Sequence, residues 1–541
     1  MRFDIINLYC FHGGIAVNTK KIYQSPEGAA FLGALLAGVV THAFALVNIL
    51  HNYDNILQQP NGYGAGITSG RWLLTVLGDF VQNVLGMGYN LPVINGMLYL
   101  VLIAVSAAFV VNILAIRSRM SAVLVGCLMS TFPTVAATMV FRYTSPYYGL
   151  SLLLCVLAAW IVDRKRYGIA VAALCLALSM GIYQAYPPVT ISLFVLVLLR
   201  DSLQENSRLP ELICRGFRYC GALVAGVLLY FLLLKISLAV YSVNGEVVLD
   251  SYQGISSMGQ ISLGQLPGLV VQAWLSAAMF SVRDYCNLAT MPVLRILWSL
   301  VIGVILALVG VILLKKRTKP LMAAFCCVMG ILFPLAVNFI VIMCPDSIVY
   351  TIMVYSFVLI GCVPLMLLEC LPEQPGGGKK ILSRITGVLI ALIVFCNSCD
   401  TNLNYTGLYY ANRQTENYFS GLFTQMRMTE GYTPEKTWVF LGNEIQDTKL
   451  YNIWNLEPTY GGFIGSSAKG LLNASYSFDT WIHNYIGYET GYADAQTEKM
   501  LTEDARVIEM PVWPSEGSIR VIDDYLVVKF QEVDEIIFPE A

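Results

Sequence analysis

The chain has 541 residues, of which 57% are hydrophobic and 13% charged, and its mean hydropathy is +0.64. Soluble domains carry roughly 25% charged residues, so these values exclude an ordinary soluble enzyme and indicate a mainly α, polytopic helical membrane protein. The net charge of −2 forms no basic stripe, so no nucleic acid is expected as a partner.

Residues 1–28 lack the long apolar run of a cleaved signal and read as a cytoplasmic leader. Eleven apolar segments then follow at 29–50, 91–114, 121–140, 147–162, 169–184, 186–200, 218–240, 291–314, 320–343, 349–370 and 381–397. Runs of about 17–25 apolar residues suffice to cross a bilayer. Several of these are shorter, and the fifth and sixth would equally make one broken hairpin around "YQAYPP". Basic residues mark every second connection: Lys20 and Lys21, Arg117 and Arg119, "DRKRYG", the Arg200–Arg218 region, "KKRTK" and "GGGKK". That alternation puts those connections and the N-terminus in the cytoplasm. It leaves 29–397 as a membrane domain and 398–541 as a small extracytoplasmic α/β domain at the cell membrane. In that tail "TWVFLG" and "YLVVKF" read as strands, and the acids of "IDDY" border a turn.

Fourteen cysteines are scattered, mostly within apolar runs, where they act as small hydrophobes. Cys396 and Cys399 form a C-x-x-C at the end of the last span that would permit a disulfide. No His/Cys spacing suggests zinc or another metal, and no cofactor motif is found. The glycines of "GYGAG" follow no strand, so a nucleotide-binding reading is weak.

The first external connection, residues 51–90, is polar and glycine-containing before it turns apolar at "RWLLTVLGDFVQNVLG". Arg71, Thr75, Asp79 and Gln82 recur at helical spacing, so this segment reads as a short interfacial helix with one polar face. Arg71, Arg142 and Arg283 lie in outer connections that should hold few cations, with acids Asp54, Asp79 and Asp284 near them in sequence. Around Arg142 runs "FRYTSPYYG", with Tyr143; the next outer loop, "GIYQAYPPV", holds Tyr183, Gln184 and Tyr186. Such aromatics serve as interfacial belt residues. Beside Gln, Ser and Arg they also suit a sugar and a phosphate, since a guanidinium grips phosphate bidentately.

The stretches "SGRWLL", "FRYTSPYYGL", "LALSMGIYQAY" and "MPVWPSEGSIRVIDDYLVVKF" resemble the Gtr-type glucosyltransferases, membrane enzymes that modify surface polysaccharides such as O-antigen. The resemblance implies the GT-C class, with a catalytic first external loop. It implies transfer of a glucosyl-like group from a polyprenyl-phosphate-sugar donor to a surface polysaccharide or glycolipid acceptor, at the outer membrane face and without a nucleotide. A carboxylate must then take the acceptor proton, and cations must hold the departing phosphate. Asp54, directly after the first span, is the first candidate base and Asp79 the reserve. Asp54 also reads as a helix-capping or solvated loop acid, and Asp79 as the neutralising partner of Arg71. Arg71 and Arg142 are the candidate phosphate binders, with Tyr143, Tyr183, Gln184 and Tyr186 toward sugar or acceptor. Family members often carry an acid in the loop that reads "YTSPYYG"; this chain has Pro146 there. The alternatives are a polymerase or ligase of lipid-linked glycans and a lipid-glycan flippase. The latter is opposed by the scarcity of charges deep in the spans, where Lys235, Arg295 and Glu369 all lie near ends.

Overall fold

A computed structural model describes residues 24–50, 66–86, 91–164, 167–204, 207–241, 249, 262, 264–315, 319–345, 348–371, 378–442, 480–489 and 493–536. The chain is mainly helical, with one small sheet toward the C-terminus, and divides into two compact units. Of the described residues, the first contains 24–47, 66–86 and 91–402, and the second contains those from 403 onward.

The helices of the first unit are α1 (Pro26–Val47), α2 (Trp72–Asp79), α3 (Pro92–Ile113), α4 (Arg119–Thr131), α5 (Pro133–Val140) and α6 (Ser145–Ile161). They continue as α7 (Gly168–Ile182), α8 (Pro187–Ser202), α9 (Leu209–Tyr241), α10 (Leu266–Met279), α11 (Pro292–Lys315), α12 (Pro320–Val337), α13 (Ile340–Met343) and α14 (Val358–Cys370). The last helix, α15 (Gly378–Met428), runs on into the second unit. All eleven apolar segments fall on helices, and among the described residues seven helical stretches, α4 and α5 taken together as one, are long and apolar enough to cross a membrane. Proline explains many of the starts. It occupies the first turn of α3, α5, α6, α8, α10 and α12, where its missing N–H costs nothing. Pro133 also breaks the third segment in two, because Phe132 before it is held extended (ψ 142°).

Two features depart from the expected map. Helix α10 lies in the long connection after α9, where no element was anticipated. Helix α15 does not stop near residue 397, where the apolar run ends, but continues to Met428, 51 residues in all. Cys396 and Cys399 are free thiols within it.

Small residues let α1 and α4 meet backbone to backbone. A Cβ on Gly126 would lie 2.1 Å from the carbonyl oxygen of Ala30, and one on Gly33 would lie 2.8 Å from that of Val123. Such close approach is how helices gain packing where no hydrophobic force separates helix from solvent. At one end of the bundle, charges tie the helices together. Asp163 and Asp201 take Arg215, Arg218 and Arg200, and Tyr219 donates to Asp163 at 2.5 Å. Nearby, Glu369 accepts the backbone N–H groups of Arg117 (3.0 Å) and Ser118 (2.8 Å) at the start of α4.

In the second unit, β1 (Thr437–Leu441), β2 (Ile519–Ile522) and β3 (Tyr525–Lys529) form a sheet of order β1-β3-β2. Strand β3 pairs parallel with β1 and antiparallel with β2. The two expected strands are present, and the acids of "IDDY" make the hairpin turn, with Asp523 at φ 53°. Alternation then sorts the side chains. Trp438, Leu526 and Val528 pack with Phe419, Phe423, Trp481 and Trp513, while Val439, Leu441 and Val527 pack with Leu501, Val507 and Met510. The latter three belong to α16 (Ala495–Thr502), α17 (Ala505–Ile508) and the turn after it. Arg506 bridges Asp504 (2.7 Å) and Asp523 (2.6 Å), and its hydrogen bonds hold both carboxyls below the usual range.

Gly126→Val puts its side chain into the backbone of α1. Overpacking costs about 1–3 kcal/mol, so the purified variant should melt several degrees below the parent. Gly303→Val, where nothing lies within 4 Å of the added Cβ, should melt with the parent.

Candidate active site

The candidate residues that the structure describes lie in the first unit, at the end of α6 opposite the Asp163 cluster. They are carried by three connections: the segment before α2, the turn between α5 and α6, and the turn between α7 and α8. Asp54 falls outside the described residues.

The segment before α2 is a short strap. Ile67–Ser69 form a 3-10 turn, and Gly70 follows in the left-handed region (φ 71°). A side chain at residue 70 would be strained there. The strap is pinned from the bundle. The amide Nε2 of Gln184 donates to Ser69 O at 3.0 Å, and the Tyr230 hydroxyl donates to Gly70 O at 3.1 Å. Gln184 also reaches the Tyr230 oxygen at 3.1 Å. Trp72, the first residue of α2, is buried with Ala177, Met180, Tyr230 and Leu234. It lies against Gly181, where an added Cβ would come within 2.5 Å of the indole.

Arg71, between strap and helix, is set by these two anchors. Its guanidinium carbon lies 5.0 Å from the centre of the Tyr183 ring, and Nη1 donates to the Tyr148 hydroxyl at 3.3 Å. Tyr148 and Tyr183 stack at 4.3 Å. Tyr186 meets Tyr183 edge-on at 5.8 Å and Tyr355 at 6.2 Å. Tyr355 is itself fixed by donating to Met129 O at 2.7 Å. A cation over a tyrosine face is attracted by the ring quadrupole, so the arginine is held in place.

The structure therefore brings Arg71, Tyr183, Gln184 and Tyr186 together. It adds Tyr148, Tyr230 and Tyr355. The tyrosines at 148, 183, 186, 230 and 355 and Gln184 are buried, whereas Arg71 is half-buried. Tyr148 and Tyr183 cover each other, and Gln184 spends its amide N–H groups on the strap. In this arrangement Gln184 positions Arg71.

Arg142 and Tyr143 are buried in the turn between α5 and α6. The Arg142 carbonyl accepts the Ser145 hydroxyl at 2.9 Å, and its guanidinium lies within electrostatic reach of His42. Pro146 sits in the first turn of α6, a position that suits proline. Asp79 lies two turns from Arg71, and its carboxylate accepts the Tyr241 hydroxyl at 3.1 Å. Between them Thr75 is buried and its hydroxyl donates to Arg71 O at 3.3 Å, whereas Val76, Phe80 and Val84 are exposed. The helix expected to lie at an interface thus turns part of its polar row inward and an apolar row outward.

A second polar patch was not anticipated. His42 is fully buried in α1, with Nε2 2.9 Å from Ser130 O. Thr41 meets Ser398 at 2.8 Å, and Asp400, 4% exposed, accepts from Thr290 at 2.8 Å. Asp400 went unremarked because the apolar run ends before it while the helix does not.

Among the described residues, no group of three or more His, Cys, Asp or Glu side chains could hold a metal ion. Compared with known families, the chain matches the model described as "Glucosyl transferase GtrII" over residues 43–361. That span includes "SGRWLL", "FRYTSPYYGL", "LALSMGIYQAY" and every candidate site residue. No curated protein and no solved structure is significantly similar.

Gly181→Val should force the Trp72 indole out and release the strap. Tryptophan emission should shift to the red, and the melting temperature should fall by the equivalent of about 1–3 kcal/mol. An unchanged spectrum and melt would show that Trp72 is not wedged against residue 181.

Proposed function

Since the chain belongs to the GtrII glucosyl transferase family and is thus a glycosyltransferase, we propose that it moves a glucosyl-like residue from a polyprenyl-phosphate-sugar donor. The acceptor is a surface polysaccharide or glycolipid on the outer face of the membrane. The observation that carries this reading is the half-buried arginine between strap and helix, held over a tyrosine within the family-matched region.

Transfer proceeds by attack of an acceptor hydroxyl on the anomeric carbon. A new glycosidic C–O bond forms, the bond to phosphate breaks, and the acceptor proton passes to a carboxylate. Asp54 is the proposed base. Asp79 stands in reserve, and its hydrogen bond from Tyr241 suits an ionised carboxylate. The leaving polyprenyl phosphate carries the developing negative charge. Arg71 opposes that charge with a fork that fits two phosphate oxygens, and Arg142 adds positive potential from the neighbouring turn. Tyr143, Tyr183 and Tyr186 line the same loops and are the proposed sugar or acceptor contacts. The positively charged connections favour a cytoplasmic N-terminus, with the site and residues 398–541 outside.

Three measurements test this. Arg71→Lys keeps charge but loses the bidentate fork, so turnover with purified donor lipid should collapse while melting is unchanged; full activity would remove Arg71 from the phosphate site. Asp54→Asn removes the base, whose contribution is roughly 10²–10⁴-fold. A parental rate in Asp54→Asn with a dead Asp79→Asn would transfer the role to Asp79, and parental rates in both would end the carboxylate-base reading. For orientation, a reporter active only in the cytoplasm and fused after Ala541 should stay silent; a strong signal would invert the assignment.

A further inference from the structure

A groove between the loop that follows α10 and the first turns of α11 is separate from the strap and its tyrosines. It encloses about 420 Å³ and is lined by Ser281, Val282, Arg295, Ile296, Ser299 and Leu300. Three walls are apolar and face outward: Val282 is 62% exposed, Ile296 61% and Leu300 50%. Helix α11 is the most apolar of the helices long enough to span a bilayer, so these walls meet hydrocarbon rather than water. The floor is polar. Ser299 donates to the Ser281 hydroxyl at 3.1 Å. Arg295, one turn before Ser299 on the same face, donates from Nε to Ala289 O at 3.0 Å. That is its only hydrogen bond among the described residues, and no carboxylate pairs with it. Both terminal guanidinium nitrogens are left to an external acceptor, beside the positive end of a 24-residue helix.

A cation at membrane depth needs an anion. Here the neighbours are a hydroxyl pair, in which Ser281 accepts from Ser299 and can pass its own O–H to a phosphate, and aliphatic walls, which can take the first methylenes of acyl chains. We propose that this groove binds an anionic phospholipid, with the Arg295 fork and the Ser281–Ser299 pair on its phosphate and the chains along Ile296 and Leu300. A lipid of net negative charge fits the uncompensated arginine better than a zwitterion, whose ammonium would face that same cation. The inference needs only the membrane setting and does not depend on the transfer reaction.

The test uses the full chain purified in detergent, with phosphatidylglycerol as the probe and native mass spectrometry counting bound lipid. The parent should retain one phosphatidylglycerol more tightly than the rest, and tighter than phosphatidylcholine. Arg295→Gln should weaken that site about tenfold, as loss of a charge-assisted bond predicts, while Lys315→Gln at the far end of α11 should not. Ser299→Ala, a change too small to unfold the chain, should weaken it a few-fold and provides a second reading should Arg295→Gln melt early. Equal retention by Ser299→Ala and Arg295→Gln would overturn the proposal. So would equal losses in Lys315→Gln, or equal binding of phosphatidylcholine. Displacement of the bound lipid by an equimolar long-chain polyprenyl phosphate would also overturn it, by making the groove a donor site.

Discussion

The absence of a side chain at Gly181 is the constraint on which the candidate site depends. Without a Cβ there, α7 accepts the flat face of the Trp72 indole, and α2 can begin only where that indole fits. Ser69 and Gly70 are held by Gln184 and Tyr230. Arg71 is therefore clamped between a packed aromatic and two backbone hydrogen bonds. The bonds are worth on the order of 1 kcal/mol each. The buried indole covers far more apolar surface, so packing sets the position and hydrogen bonding refines it. The motifs "SGRW" and "GIYQAY" are in physical terms one contact seen from both sides.

Around that contact the membrane unit separates its charges by task. Guanidinium groups on α8 and α9 are neutralised by Asp163 and Asp201, and they hold helix ends together. Toward the other end of α6, Arg71 lies over the Tyr183 ring and donates to the Tyr148 hydroxyl, and Arg142 is buried in the turn before α6. Arg295 stands elsewhere, beside serines and aliphatic side chains. The close packing of α1 on α4 through Gly33 and Gly126 makes this division durable, because it leaves these helices little room to slide.

Much of the architecture was legible in the sequence. Apolar runs located the eleven helical segments, and the stretches "TWVFLG" and "YLVVKF" located β1 and β3. The helical spacing from Arg71 to Gln82 identified α2, though not which way it faces. Thr75 turns inward because Trp72 fixes the rotation of the helix, and the distant Gly181 determines that. The partner of Asp79 is Tyr241, 162 positions away, and no local pattern links them. Helix α10 was missed because it lies in a long polar connection. The continuation of α15 through Asp400 was missed because composition reports where lipid ends and says nothing of where hydrogen bonding ends. The glucosyl transfer reading rested on four motifs, and the family match covers three of them, leaving out "MPVWPSEGSIRVIDDYLVVKF". The roles of individual acids rest on chemistry that a sequence can suggest only by type.

The arginines around Asp163 and Asp201 also have a history within each molecule's synthesis. A basic connection biases the side of the bilayer on which it stays while the chain is being inserted, and acids contribute little to that decision. On the proposed orientation, Arg200, Arg215 and Arg218 act as address labels on a nascent chain before their partners are in place. Once the helices assemble, the same three side chains are bound to Asp163 and Asp201 and become latches. The address is read once and then locked away, so reversing the orientation of the finished protein would require breaking the contacts that close its helix bundle.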